Sequence, residues 1–127
     1  MRNFAKGIAG DIVMSQNPGN DIRKLRTKYG VTQKELSAIL ELSRETVSRI
    51  ENGKMPPSFE FVHTLANTFT LIEAGRAQCT KKDLQIPFFN RLSKEFGFSR
   101  EKSDEILKIA IEGYTKKKDG ITKDLER

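Results

Sequence analysis

At 127 residues and 36% hydrophobic content, the chain has room for one compact domain with appendages and can bury a real core, but leaves no space for a second, enzyme-sized domain. Its 23 Lys and Arg against 17 Asp and Glu give a formal charge of +6, which favours polyanionic partners through counterion release without specifying one. The one cysteine, Cys79, excludes an intramolecular disulfide framework, and no apolar run is long enough for a transmembrane helix or a signal-peptide core, so a cytoplasmic protein is expected.

In chain order, Phe4, Ile8 and Ile12 recur every fourth residue, with Val13 adjacent, and predict a helix from about Asn3 to Ser15. Gly7 and Gly10 weaken it, so it needs a partner surface, either the domain core or a second subunit. Asn17-Pro18-Gly19 reads as a breaker, followed by a helix from about Asp21 to Tyr29 with Ile22, Leu25 and Tyr29 inward.

The stretch Thr32–Lys54, TQKELSAILELSRETVSRIENGK, encodes two short helices and a tight turn. Thr32 and Glu35 form a reciprocal capping box, so a helix begins at Gln33 and buries Leu36, Ile39 and Leu40 on one side. Glu41-Leu42-Ser43 is the turn, and Ser43 caps a second helix from Arg44 to Glu51, which Asn52-Gly53 stops. Arg44, Glu45, Ser48 and Arg49 share an arc of about 140°, with Val47 and Ile50 opposite. Amphipathicity alone describes an ordinary surface helix equally well.

Pro56-Pro57-Ser58 leads into a helix with the apolar stripe Phe59, Val62, Leu65, Ala66 and Phe69, which closes the core. His63 is the sole histidine and has no cysteine cluster near it, so neither a metal site nor acid-base catalysis is expected. Gly75 to Asp83 is polar and reads as a connector, although the preceding helix can extend into it. Beyond it, Ile86, Phe88, Phe89, Leu92, Phe96 and Phe98 precede a helix capped by Ser99 and carrying Ile106, Leu107, Ile109, Ala110 and Tyr114. That is more apolar surface than a two-helix tail can bury alone, which points to a twin subunit; the alternative is that it covers the core of its own subunit. The final KKKDGITKDLER is expected to fray, with Lys116 to Lys118 in solvent rather than on phosphate.

IRKLRTKYGVTQKELS, LSRETVSRIENGK, PPSFEFVHTLA and the residues on to Phe69 together resemble the Cro and phage-repressor type of helix-turn-helix DNA-binding domain, the XRE-like regulators. The resemblance covers roughly two fifths of the chain, and its TQ-x-EL and S-x-x-T-V-S-x-IE-x-G spacing is far more specific than a generic helical pattern. It implies an all-α, lambda-repressor-like domain at 18–74, to which the residue pattern adds an N-terminal helical extension at 1–17 and a C-terminal helical dimerisation unit at 75–127 with a frayed tail.

The implied function is a sequence-specific regulator that binds double-stranded DNA as a homodimer, a repressor rather than an activator, with no cofactor, metal, membrane association or enzymatic activity. By the same resemblance Arg44, Glu45, Ser48 and Arg49 are base-contacting candidates. Gln33, Ser43, Thr46, Asn52 and Lys54 fall at phosphate-contacting positions, where they position rather than specify. Arg26 and Glu51 match a structural ion pair. Two residues depart from the pattern: Glu41 stands where a positive-φ glycine is usual, and Ser37 where alanine is common.

Residue chemistry supports these roles independently. An arginine fork can donate to both O6 and N7 of guanine, which suits Arg44 and Arg49. Glu45 can accept from a cytosine amino group or orient Arg49 one turn later, and repulsion by phosphate favours the orienting role. A different reading makes the protein antitoxin-like or an adaptor whose C-terminal helices bind a partner protein. An enzyme ranks last, because no nucleophile-base constellation, metal cluster or phosphate loop is present.

Overall fold

A computed structural model of the protein describes residues 2–79 and 86–125, with side-chain surroundings for 3–77 and 88–112. Among the described residues there are seven helices and no strands: α1 (Arg2–Val13), α2 (Pro18–Tyr29), α3 (Gln33–Leu40), α4 (Arg44–Glu51), α5 (Phe59–Cys79), α6 (Ile86–Glu95) and α7 (Arg100–Leu125). The all-α, lambda-repressor-like architecture read from the sequence is present. The chain divides into two compact units, 1–70 and 71–127, with α5 contributing residues to both.

In the first unit, α2, α3 and α4 enclose Ile22, Leu36, Ile39 and Val47, none of which exposes measurable surface. Burying each such side chain contributes roughly 1.5–3 kcal/mol. Phe61, Val62, Leu65 and Phe69 of α5 complete the core, and the rings of Tyr29 and Phe69 lie 5.1 Å apart. Thr68 and Thr70 are also buried; their hydroxyls donate to the carbonyls of Thr64 and Ala66 at 2.8 and 2.7 Å, so neither is left unpaired.

Some local expectations need correction. α1 ends ahead of Asn17-Pro18-Gly19, but the next helix starts at Pro18 rather than near Asp21: Pro18 takes an early position where its missing N–H costs nothing, and Asn17 Oδ1 accepts from the Asn20 amide at 3.2 Å. Gly19 is buried, and a Cβ there would collide with the carbonyl oxygens of Ile50 and Glu51, so the first turn of α2 lies directly on the end of α4. Phe59 does not join the core. It is 84% exposed and stacks on His63, while Phe61 points inward after Ser58 caps its amide at 3.0 Å. On α1, Ala5 and Ile12 are buried, Ile8 is half-buried, and Phe4 and Val13 are exposed.

Helix ends follow one pattern. α2, α4 and α6 each finish on a left-handed glycine, Gly30, Gly53 and Gly97, with the next amide donating back to Arg26, Arg49 and Ser93 respectively. α3 closes in the same way at Glu41, with φ 57° and the Leu42 amide on the Ser37 carbonyl at 3.0 Å. Glu41 is the one non-glycine residue with positive φ among the described residues.

In the second unit Leu71, Ile72, Phe89, Leu92, Ile106, Ile109 and Ala110 are buried. Gly75, expected to open a connector, instead sits in close packing, with Ala110 and Phe89 where a Cβ would go. α5 runs on to Cys79, with its last buried apolar side chain among the described residues at Ala74. α7 runs on to Leu125, across the segment expected to fray, and no proline interrupts it. The side chains of Cys79, Ile86, Tyr114 and Lys116 to Lys118 lie outside the described set.

Candidate nucleic-acid interface

The site is the exposed face of α4 and the turns around it. α3 starts with the full capping box: the Glu35 amide donates to Thr32 Oγ1 at 3.0 Å, and the Thr32 amide to Glu35 Oε1 at 2.9 Å. Ser37 is buried, and its hydroxyl is satisfied by the Lys34 carbonyl at 2.7 Å. α4 begins at Ser43, whose Oγ accepts from the Thr46 amide at 3.1 Å and shares a hydrogen bond with Thr46 Oγ1 at 2.8 Å. Both hydroxyls are thus partly committed to shaping the turn.

At eight residues α4 is too short to be stable by propensity, so tertiary contacts must hold it. Val47 and Ile50 bury its inner face. Its end is held by the Glu51 carboxylate, which has no exposed side-chain surface. The Arg26 fork donates Nε to Oε2 at 2.8 Å and Nη2 to Oε1 at 3.0 Å, while its Nη1 reaches the Val31 carbonyl at 2.9 Å. Gln33 Nε2 adds a donor to Oε1 at 3.1 Å, and Arg23 Nε stands 3.5 Å from the same oxygen. One carboxylate therefore ties α2, α3 and α4 together.

The outer face carries the candidate base readers. Arg44, Glu45 and Arg49 are exposed and Ser48 is half-buried. Arg49 Nη2 donates to Glu45 Oε1 at 2.7 Å, so in the free protein Glu45 orients Arg49. Of the phosphate candidates, Ser43, Asn52 and Lys54 are exposed, while Gln33 and Thr46 are half-buried. The amides of Asn52, Gly53 and Lys54 all donate back into α4, which leaves phosphate contacts from this loop to side chains. The Asn52 amide is itself engaged: its Oδ1 accepts from Arg23 Nη2, and its Nδ2 donates to Ser48 Oγ at 3.3 Å, so one amino hydrogen remains for a phosphate.

Arg23 and Gly19 were not singled out from the sequence. Arg23 lies one turn before Arg26 on the same helix face, the one signal that could have flagged it. Gly19 had the signal of a glycine just inside a proline-led helix start. Among the described residues, no group of three or more His, Cys, Asp or Glu side chains could hold a metal, and no helix is long and apolar enough to cross a membrane.

This architecture, with a short polar-faced helix braced at the end of a two-helix turn, defines the class: a helix-turn-helix DNA-binding domain. The family model described as helix-turn-helix matches residues 22–71. An uncharacterized HTH-type transcriptional regulator of Archaeoglobus fulgidus is 42% identical over 48 residues, covering 38% of this chain and 69% of that protein. Another from the same organism is 36% identical over 61 residues, 48% of this chain but 27% of the relative. A putative HTH-type transcriptional regulatory protein of Pyrococcus furiosus is 34% identical over 82 residues, with 26% of its length covered. The chain thus spans about a quarter of the length of the two longer relatives. No solved structure matches it significantly. The chain belongs to the XRE-type helix-turn-helix family of transcriptional regulators.

Proposed function

We propose that the protein binds a specific double-stranded operator as a homodimer and represses transcription by occupying it. The observation that carries this reading is the two-sidedness of α4: Val47 and Ile50 are buried, Glu51 is locked by Arg26, and Arg44, Glu45 and Arg49 stand exposed on the other side. In a major groove, Arg44 and Arg49 donate to guanine, Ser48 lies beside them, and Glu45 steers Arg49. Ser43, Thr46, Gln33 and Lys54 meet the flanking phosphates, with the remaining Asn52 hydrogen. Dimerisation is supported by apolar side chains left exposed on the C-terminal helices, Phe88 at 40% and Ile111 at 38%.

Selection from random duplex DNA at two salt concentrations tests the proposal, because charge attraction weakens steeply with salt whereas base preference persists. A palindromic consensus is expected, with half-sites about 34–36 Å apart. Arg44→Ala and Arg49→Ala should each lose about tenfold discrimination at one base pair per half-site without loss of fold. Equal affinity of the wild type and both variants for every duplex would overturn the reading.

A further inference from the structure

Proton donors and acceptors at the end of α4 can be assigned from which atoms are able to give a hydrogen. Arginine only donates, so the Asn52 atom met by the Arg23 guanidinium is the carbonyl oxygen Oδ1. That fixes the amide, and its Nδ2 faces Ser48 Oγ at 3.3 Å. An amide nitrogen also only donates, so the Ser48 oxygen accepts and keeps its own hydrogen to give.

Helical serine and threonine hydroxyls ordinarily spend that hydrogen on a carbonyl one turn back. Thr27, Thr68 and Thr70 do so, donating to Arg23, Thr64 and Ala66 at 2.7, 2.8 and 2.7 Å. Ser48 makes no such bond; among the described residues its hydroxyl meets Asn52 alone. It sits on the arc that carries Arg44, Glu45 and Arg49.

We propose that Arg23 and Asn52 form a relay that fixes Ser48 as a hydrogen-bond donor toward DNA. A serine hydroxyl is otherwise indifferent and can face a donor or an acceptor. Fixed in this way, it selects a base edge presenting an acceptor in the major groove: a purine N7, guanine O6 or thymine O4. The exocyclic amino groups of cytosine and adenine are disfavoured. Arg23 and Asn52 are positioning residues; Ser48 is the reader. The inference rests on the reading that α4 enters the major groove.

The test measures the full-length protein against its selected consensus duplex and every single base-pair variant of it. Ser48→Ala should lose roughly threefold to tenfold preference at one base pair per half-site, the worth of one neutral hydrogen bond, and leave the other positions unchanged. Asn52→Asp keeps a partner for Arg23 but turns an acceptor toward Ser48. The hydroxyl hydrogen then swings inward, and preference at that same base pair should move toward an exposed amino group. Arg23→Met frees the amide to turn over, and the preference should flatten.

A wild-type measurement guards against variants that fail to fold. Removing the acceptor at that position, with 7-deazapurine for N7, 2-aminopurine for guanine O6 or 5-methyl-2-pyrimidinone for thymine O4, should weaken the wild type by the same factor and leave Ser48→Ala unaffected. A uniform loss over all duplexes for Ser48→Ala puts Ser48 on phosphate and overturns the relay. An Asn52→Asp preference identical to the wild type, in a variant with unchanged melting, also overturns it. If the wild type yields no consensus at all, the major-groove reading fails first and takes the relay with it.

Discussion

The Glu51 carboxylate is the residue on which the DNA-binding unit turns, since a charge with no exposed surface must be met by donors or unfold what surrounds it. Truncating one partner of a well-buried pair costs about 3–5 kcal/mol, because the other charge is stranded. Gln33 and Arg23 still face Glu51 when Arg26 is gone, so Arg26→Met is expected to destabilise by about 3 kcal/mol, the lower end of that range. The double variant Arg26→Met with Glu51→Met removes the stranded charge and should recover a large part of the loss. Urea unfolding of both measures this; a double variant no more stable than Arg26→Met contradicts it. The Arg26 and Glu51 pair, 25 residues apart, was legible only through the family resemblance, which implies an ion pair at these positions. Arg23 was not, because its engagement with Asn52 depends on how closely α2 crosses α4, and that distance is set by Gly19 and absent from any local pattern.

Among the elements, α3 has the most unusual end. Its left-handed cap is built on glutamate where three other helices use glycine, and the missing freedom costs about 1 kcal/mol or more. Glu41→Gly should therefore be stabilising by up to about 1 kcal/mol, after the extra entropy of an unfolded glycine is offset, and Glu41→Val should be clearly destabilising. Thermal melting that ranks Val above Gly at this position would contradict the strain. The turn itself was readable: Ser43 and the capping box follow from residue types at fixed offsets, whereas the positive φ at Glu41 was implied only by the family resemblance, against the preference of glutamate. Phe59 and the start of α2 were misread for a shared reason. Apolar periodicity gives the angle of a stripe but not where it ends, and the Ser58 and Asn17 caps decide that.

For the molecule as a whole, the change in composition near Gly75 falls inside a continuous helix, and the compact units divide at 70/71. Composition reports solvation, whereas the division follows which apolar residues meet, so the two need not coincide. The dimer is tested in the full chain by Phe88→Glu and Ile111→Glu. Each is expected to shift sedimentation from dimer toward monomer, to weaken operator binding and to abolish the dependence of melting on protein concentration, since both side chains are exposed in the single chain and the fold of each subunit does not rest on them. Unchanged dimers in both variants would place the contact elsewhere; a stoichiometric foreign protein lost from the same variants would favour an adaptor. One consequence of the Glu51 brace concerns motion. Short helices normally fray, letting their amides trade hydrogen for deuterium without the domain opening. α4 is clamped at Ser43, along Val47 and Ile50, and at Glu51, so its hydrogen-bonded amides, from Thr46 onward, should exchange only at the rate of global unfolding of residues 1–70. In Arg26→Met that protection should fall first in α4, well before the amides of α5 lose theirs.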